Sequence, residues 1–331
     1  MQKVLRLLRS LSNGAIARVS TAFCPRSSPM ADRGPIARFC MRRFLYPLQA
    51  LLIGSLYYSV RALPLAVGTA ITSLMFRKIG RRMPVARVAE QNVRRVFPEL
   101  DEAEVEALLD KIWGDLGQGA AEFSHLDRFT VNERGSRVEL VGAKHLATMQ
   151  ESSKAGIVFS AHMGNWELGA RVVGQTGLPL GQIYRGADNP FIDRLFKNAR
   201  SSENTTLIPK GREGAAKMLR LMRDGLHFGA MMDQKLNEGV PIPFFGHDAM
   251  TATAPVEIAL RTGGAIVPVR CIRYPGSRFR IEISPPLEIE RTDDRKADAI
   301  KVLGQINGII EDWIREYPEQ WFWLHRRWPK E

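Results

Sequence analysis

His162 and Glu167 hold the best prospect of chemistry in this chain. They lie in the stretch Gly156-Ile-Val-Phe-Ser-Ala-His-Met-Gly-Asn-Trp-Glu-Leu-Gly169, with an H-x4-E spacing. An imidazole is the side chain best suited to move protons near neutral pH, and a carboxylate on its second nitrogen makes it an oriented general base. Glu167, inside the first turn or so of a following helix, can fold back to serve that nitrogen. The bland alternative is a histidine that caps a helix or packs in a core, and H-x4-E alone does not exclude it.

Context raises the motif above its spacing. Ile157 to Phe159 is a short apolar run that reads as a buried strand, and a helical pattern opens at about Asn165. His162 then sits in a strand-to-helix turn, where reactive side chains tend to be placed. The pattern continues in alternation. Strands are expected at Val138–Val141, Gly181–Tyr184, Thr206–Ile208 and His227–Met232, with helices at Ala143–Glu151, Trp166–Gln175, Phe191–Ser201 and Glu213–Arg223. After Pro255 come a helix, long strands near Ala265–Tyr274 and Phe279–Ile283, and a closing helix near Ala297–Glu316. Such alternation predicts an α/β domain with a mostly parallel sheet, whose sites lie at the carboxyl ends of the strands. His162, Arg185 and Asp233 all fall at such ends.

Each of these residues has a plain reading beside the functional one. Arg185, after a strand, is either a bidentate phosphate ligand or half of a surface salt bridge. Lys210 and Arg212 flank Gly211 before a helix, an arrangement that suits an anion or simply a solvated turn. Asp233, followed by Gln234, either supports the histidine or caps a turn. Phe244 and Phe245 line an acyl channel or pack in the core. Asp101 with Glu104 is a capping-box start to a scaffold helix.

Composition narrows the partners. The chain has 331 residues and a formal charge of +12, which points to anionic partners. Residues 1–43 carry nine Lys/Arg against Asp32 alone, so they hold +8 of that charge and form a basic extension outside the fold. Cys24, Cys40 and Cys271 have neither metal-ligand nor disulfide-framework spacing, and no metal or cofactor is expected. No P-loop, Rossmann fingerprint or nucleophile elbow appears. Nucleic acid lacks a supporting motif.

From Phe44 to Phe76 the only charge is Arg61. The apolar piece Phe44–Val60 is just short of the ~20 residues that span a bilayer, and Leu63-Pro64 interrupts before a second apolar piece. We expect a membrane anchor over 44–76, spanning or interfacial, and a catalytic domain over 77–331. The tail Trp321–Trp328 mixes aromatic and basic residues in a way that suits a membrane interface.

Taken in order, these blocks resemble the lipid A biosynthesis late acyltransferases, a family that includes the phosphatidylinositol mannoside acyltransferases. The matching pieces are the apolar segment, Asn92–Pro98, His162-Met-Gly-Asn-Trp-Glu167, Tyr184-Arg185 with Asn189-Pro190, Asp233-Gln234, Pro243-Phe-Phe-Gly246 with Thr251, and Trp323 with Arg326-Arg327. The likeness runs from about Phe44 to Arg327, and its ordered series is more specific than any one block. It implies a glycerolipid-acyltransferase-like α/β fold, with a mostly parallel or mixed sheet flanked by helices and an N-terminal membrane-anchoring helix. It also implies attachment to the cytoplasmic face of the bacterial inner membrane, an acyl carrier protein thioester as donor, and a hydroxyl of a lipid A precursor as acceptor. The family's catalytic pair is carried onto His162 and Glu167.

On this reading His162 takes the proton of the acceptor hydroxyl, with Glu167 or Asp233 in support. Backbone N–H groups near Gly164 or the Arg185 guanidinium meet the oxyanion. Arg185, Asn189, Lys210, Arg212, Gln234 and Gly164 form the expected substrate-binding set. Two rivals remain: the same chemistry on phosphatidylinositol mannoside or another membrane lipid, and a non-catalytic, membrane-attached protein that binds anionic lipid.

Overall fold

The computed structural model describes residues 41–329 except 132, 153 and 211, and gives only the backbone at 212 and 215. The expected basic extension therefore lies outside the described residues, apart from its last three. Two apolar helices come first, α1 (Tyr46–Ala62) and α2 (Leu65–Ile79). Leu63 between them is extended, as the residue before a proline must be, and Pro64 then begins α2. That break divides the apolar segment into two short helices. At 1.5 Å per residue the two helices reach only about 26 and 22 Å. Among the described residues no helix is long and apolar enough to cross a membrane, so the spanning helix is not found.

The two helices nonetheless leave apolar side chains bare. On α1, Leu48, Leu51, Leu52 and Leu56 recur on one face and are each more than half exposed. On α2 the exposed series is Val67, Ile71, Leu74, Met75 and Ile79. The opposite face of α2 lies against the scaffold helix α4 (Glu102–Phe123), which follows α3 (Ala86–Val96). Asp101 and Glu104 form the expected capping box at its start. Contact with α2 is close at Gly117, where a Cβ would stand 2.5 Å from the Thr72 carbonyl oxygen.

The rest of the chain is built on a seven-stranded sheet. Its strands are β1 (Val138–Val141), β2 (Ile157–Ser160), β3 (Leu180–Tyr184), β4 (Thr205–Pro209), β5 (His227–Met231), β8 (Ile266–Tyr274) and β9 (Arg278–Ile283). They lie in the order β1-β9-β8-β2-β5-β3-β4. Only the β8–β9 pair is antiparallel, so the sheet is mostly parallel, as the alternation predicts. A separate hairpin pairs β6 (Val240–Phe244) with β7 (His247–Thr251). Phe245 and Gly246, both at positive φ, make its two-residue turn.

Helices cover both faces. The connecting helices are α5 (Trp166–Gln175), α6 (Pro190–Arg200), α7 (Arg212–Arg223), α8 (Ala254–Thr262) and α9 (Arg295–Glu316). Alternation along β2 divides the core. Ile157 and Phe159 join α8, α9 and the C-terminal tail, with Phe159 stacked on Trp313, whereas Val158 joins α5 on the other side. A strand packed on both faces is apolar throughout, which is how its sequence reads.

The tail departs from expectation. Trp321, Trp323, Arg327 and Trp328 are buried, not set at a membrane interface. Each indole N–H has an acceptor, and Arg327 lies over the Phe244 ring while donating to the Met250 carbonyl and the Thr251 hydroxyl. Phe244 is likewise core. Aromatic size outweighs one guanidinium whose two terminal nitrogens are bonded, although its buried Nε has no partner among the described residues.

Two glycines test the packing. Gly117→Ala is expected to destabilise the fold by about 1–3 kcal/mol, because backbone must move to admit the methyl. Gly304→Ala, at an exposed position of α9 with nothing within 4 Å of the new Cβ, should instead stabilise by up to about 1 kcal/mol. Urea denaturation of the two variants in one detergent reads both signs.

Candidate active site

Register builds the site. β2 and β5 run parallel, with Ile157 opposite Phe228 and Ser160 opposite Met231. Carried two residues beyond each strand, the same offset sets His162 beside Asp233. The side chains meet there: His162 Nδ1 donates to Asp233 Oδ1 at 2.8 Å, and the His162 backbone N–H donates to Oδ2 at 2.9 Å. The indole of Trp321 gives Oδ2 a further hydrogen bond at 2.8 Å. Asp233 is wholly buried and needs all three donors.

The tail completes the turn through an antiparallel bridge. Met163 bridges Trp321, the Phe322 N–H donates to the His162 carbonyl, and the Gly164 N–H donates to the Gln320 carbonyl. His325 sits behind, with one ring nitrogen 3.0 Å from the Asp233 carbonyl and the other 2.7 Å from that of Phe322. Trp166 and Phe322 flank the imidazole at 5.4 and 6.3 Å between ring centres. With Nδ1 committed to Asp233, Nε2 is left to accept a proton, and the Gln234 amide nitrogen lies 3.3 Å from it.

Electrostatics agree with this geometry. Burial would depress the His162 pKa, but the charge and hydrogen bond of Asp233, with a smaller contribution from Glu167, raise it above the ordinary value. Burial would raise the Asp233 pKa, yet His162 and His325 hold it well below the usual carboxylate range. The pair is therefore an imidazole poised against a permanent anion.

Glu167 stands elsewhere than its spacing predicts. Its two oxygens accept from Arg200 at 2.6 and 2.8 Å, and Arg200 in turn lies over the Phe123 and Phe196 rings. The carboxylate on Nδ1 is Asp233, so Glu167 acts on the imidazole through charge and not through a hydrogen bond.

The expected substrate-binding residues separate into two groups. Asn189 is buried, caps α6 through the Phe191 N–H and donates to the Tyr46 carbonyl at 2.8 Å, so it fastens α1 and is not open to a substrate. Gly164 adopts φ +57°, and a Cβ there would lie 2.4 Å from the Cys271 carbonyl. Its N–H is already given to Gln320, which removes it as an oxyanion donor. Arg185 and Lys210 are exposed at the carboxyl ends of β3 and β4, and neither side chain has an ion-pair partner among the described residues. The order β2-β5-β3-β4 places these cations about 10–14 Å along the sheet edge from His162. The Arg212 side chain lies outside the description; its backbone opens α7.

A second buried layer supports the turn. Asn165 donates to Glu122 at 3.1 Å, and Glu122 accepts from Arg273 at 2.8 Å and from Ser277 at 3.0 Å. Arg273 also pairs with Asp115, whose pKa burial pushes up to about 6. Gln320 bonds the Arg273 backbone at both its N–H and its carbonyl. Sequence reasoning assigns no site role to Trp321, Glu122 or Arg273, and the Trp321–Asp233, Glu122–Arg273 and Asp115–Arg273 bonds join residues 88 to 158 positions apart.

A family model described as "Bacterial lipid A biosynthesis acyltransferase" matches residues 41–330. The chain belongs to that family. It is an acyltransferase, and the non-catalytic lipid-binding reading gives way. Its relatives include the lipid A biosynthesis lauroyltransferase of Escherichia coli K12, 29% identical over 266 residues, which are 79% of this chain and 83% of that one. The palmitoleoyltransferase of the same strain is 27% identical over 300 residues, or 86% and 93% of the two chains. A phosphatidylinositol mannoside acyltransferase of Mycolicibacterium smegmatis is 22% identical over 198 residues, or 59% and 63%. Among the described residues of the acyltransferase no cluster of side chains could hold a metal ion.

A base must be neutral to accept a proton, so activity should climb as pH rises through a His162 pKa above 6.5. Asp233→Asn removes the anion that raises that value. The acid limb of the kcat/KM profile should then move to lower pH while kcat falls by about 10²–10⁴-fold. An unmoved limb would separate Asp233 from the base.

Proposed function

We propose that the acyltransferase moves a fatty acyl chain from an acyl carrier protein thioester to a hydroxyl of a lipid A precursor, at the cytoplasmic face of the bacterial inner membrane. The observation that carries the mechanism is the His162–Asp233 pair at 2.8 Å, which leaves Nε2 beside the Gln234 amide. The substrate class follows from family membership and from the named activities of the relatives.

The reaction needs one base and no covalent enzyme intermediate. The acceptor oxygen attacks the thioester carbonyl carbon as its proton passes to His162 Nε2, and Asp233 stabilises the imidazolium that forms. The tetrahedral intermediate collapses by breaking the C–S bond, and the imidazolium returns its proton to the departing thiolate. An ester and a free thiol result. The Gln234 amide, beside Nε2, is the side-chain donor positioned for the oxyanion now that Gly164 is committed elsewhere. Glu167, held by Arg200, adds negative potential that favours the imidazolium and fixes the start of α5.

Arg185 and Lys210 suit the phosphates of the acceptor or the phosphate of a carrier-borne donor arm. The bare apolar faces of α1 and α2 suit the membrane interface, where a lipid acceptor is presented. A phosphatidylinositol mannoside acceptor would use the same base.

The deciding measurement is mass spectrometry of lipid A from a strain lacking this gene, complemented with wild type or His162→Ala. One acyl chain should be missing and be restored by wild type alone; unchanged lipid A in all three strains would move the acceptor to another membrane lipid. With purified enzyme, Arg185→Ala and Lys210→Ala should raise KM by roughly tenfold with little change in kcat, because each removes one charge-assisted contact. A fall in kcat alone would contradict a binding role.

A further inference from the structure

A cleft of about 480 Å³ lies where α2 ends, apart from the residues placed around His162. Arg81, Arg82 and Arg87 line it, with Met83 from the loop and Leu109 and Trp113 from α4. Its acids are already neutralised: Glu106 pairs with Arg81, and Glu90 with Arg94. Arg82 and Arg87 are exposed and have no ion pair or hydrogen bond among the described residues, so two cations remain uncompensated. The wall is closely built, since a Cβ on Gly80 would stand 2.2 Å from the Trp113 ring. Met83, which lines the cleft, also continues the exposed apolar series Ile71, Leu74, Met75 and Ile79 of α2.

We infer that this cleft binds the phosphate group of an anionic membrane phospholipid, whose acyl chains run along the bare face of α2. Two free guanidiniums suit a phosphate by charge and by their forked donors. The adjoining apolar ridge distinguishes a lipid phosphate from a soluble one. The inference rests on the reading of α1 and α2 as lying against a membrane, and names the headgroup that orients the enzyme there. It is separate from acceptor recognition at Arg185 and Lys210.

Flotation of the full-length protein tests it, with vesicles of phosphatidylcholine alone and with phosphatidylglycerol added. Arg82→Ala/Arg87→Ala is compared with Arg43→Ala/Lys78→Ala, which removes the same charge outside the cleft. Cations merely near an anionic leaflet contribute regardless of position, so surface charge alone predicts equal losses for the two pairs. The cleft predicts that Arg82→Ala/Arg87→Ala weakens binding to phosphatidylglycerol vesicles at least about tenfold more than the control pair, with binding to neutral vesicles unchanged. Equal losses would overturn it. So would stripping of wild type by millimolar inorganic phosphate, which would make the cleft a soluble-phosphate site. Normal flotation of Arg82→Ala/Arg87→Ala with lost transfer from a carrier-bound donor would overturn it too, in favour of an acidic protein partner. If wild type floats equally on both vesicle types, the membrane reading stands and the cleft falls; if it floats on neither, the membrane reading fails first. Both side chains are exposed and unpaired, so unchanged thermal melting checks the fold.

Discussion

A single buried carboxylate organises the catalytic half of this enzyme. Asp233 has no access to water, and an anion in that position persists only if its oxygens are supplied with donors. Three arrive from two distant segments: the His162 backbone, the His162 ring and the Trp321 indole. Each does structural as well as chemical work. The backbone donor fixes the turn after β2, the ring donor sets the tautomer of the base, and the indole draws the tail against the turn. Removing the charge would release all three together.

That requirement explains why a tail of large aromatics and arginines is interior. Residues 320–322 run antiparallel beside 162–164 through a single bridge, so the turn after β2 is hydrogen-bonded to the tail as well as to Asp233. Trp321, Trp323 and Trp328 fill the space between the tail and the hairpin β6–β7, and Asn92 ties α3 to the carbonyls of Trp323 and His325. Behind the turn, the Arg273, Glu122 and Asp115 network links β8 to α4. A buried ion network of this kind contributes specificity of arrangement more than stability, and here the arrangement it specifies includes Asn165 and Gln320, on either side of the base.

The same economy separates the apolar helices from the chemistry. α4 is shared: one part supports α2, through close contact at Gly117, and another carries Glu122 beneath the catalytic turn. Asn189 joins the two regions from the other side, capping α6 while holding Tyr46 of α1. The apolar faces of α1 and α2 are thereby tied to the sheet edge that carries His162, Arg185 and Lys210.

Much of this was legible in the residues themselves. Apolar runs of strand length alternating with helical periodicity were enough for the parallel sheet, and short polar segments after those runs were enough to place His162, Arg185 and Asp233 at its carboxyl edge. The capping box at Asp101, the break at Leu63-Pro64 and the strand-to-helix turn at His162 are local, and local sequence determines them. Partner choice is not local. Glu167 lies five residues from His162 yet pairs with Arg200, whereas Asp233, 71 residues away, is brought to Nδ1 by the register of two parallel strands. The aromatic tail has a composition equally suited to an interface and to a core; only the donors waiting for its carbonyls, and the acceptor waiting for Trp321, decide between them. Chemistry at the sheet edge was written in residue type and spacing. Which carboxylate serves the base was decided by tertiary structure, because hydrogen-bond partners are set by strand register and burial, neither of which a linear spacing contains.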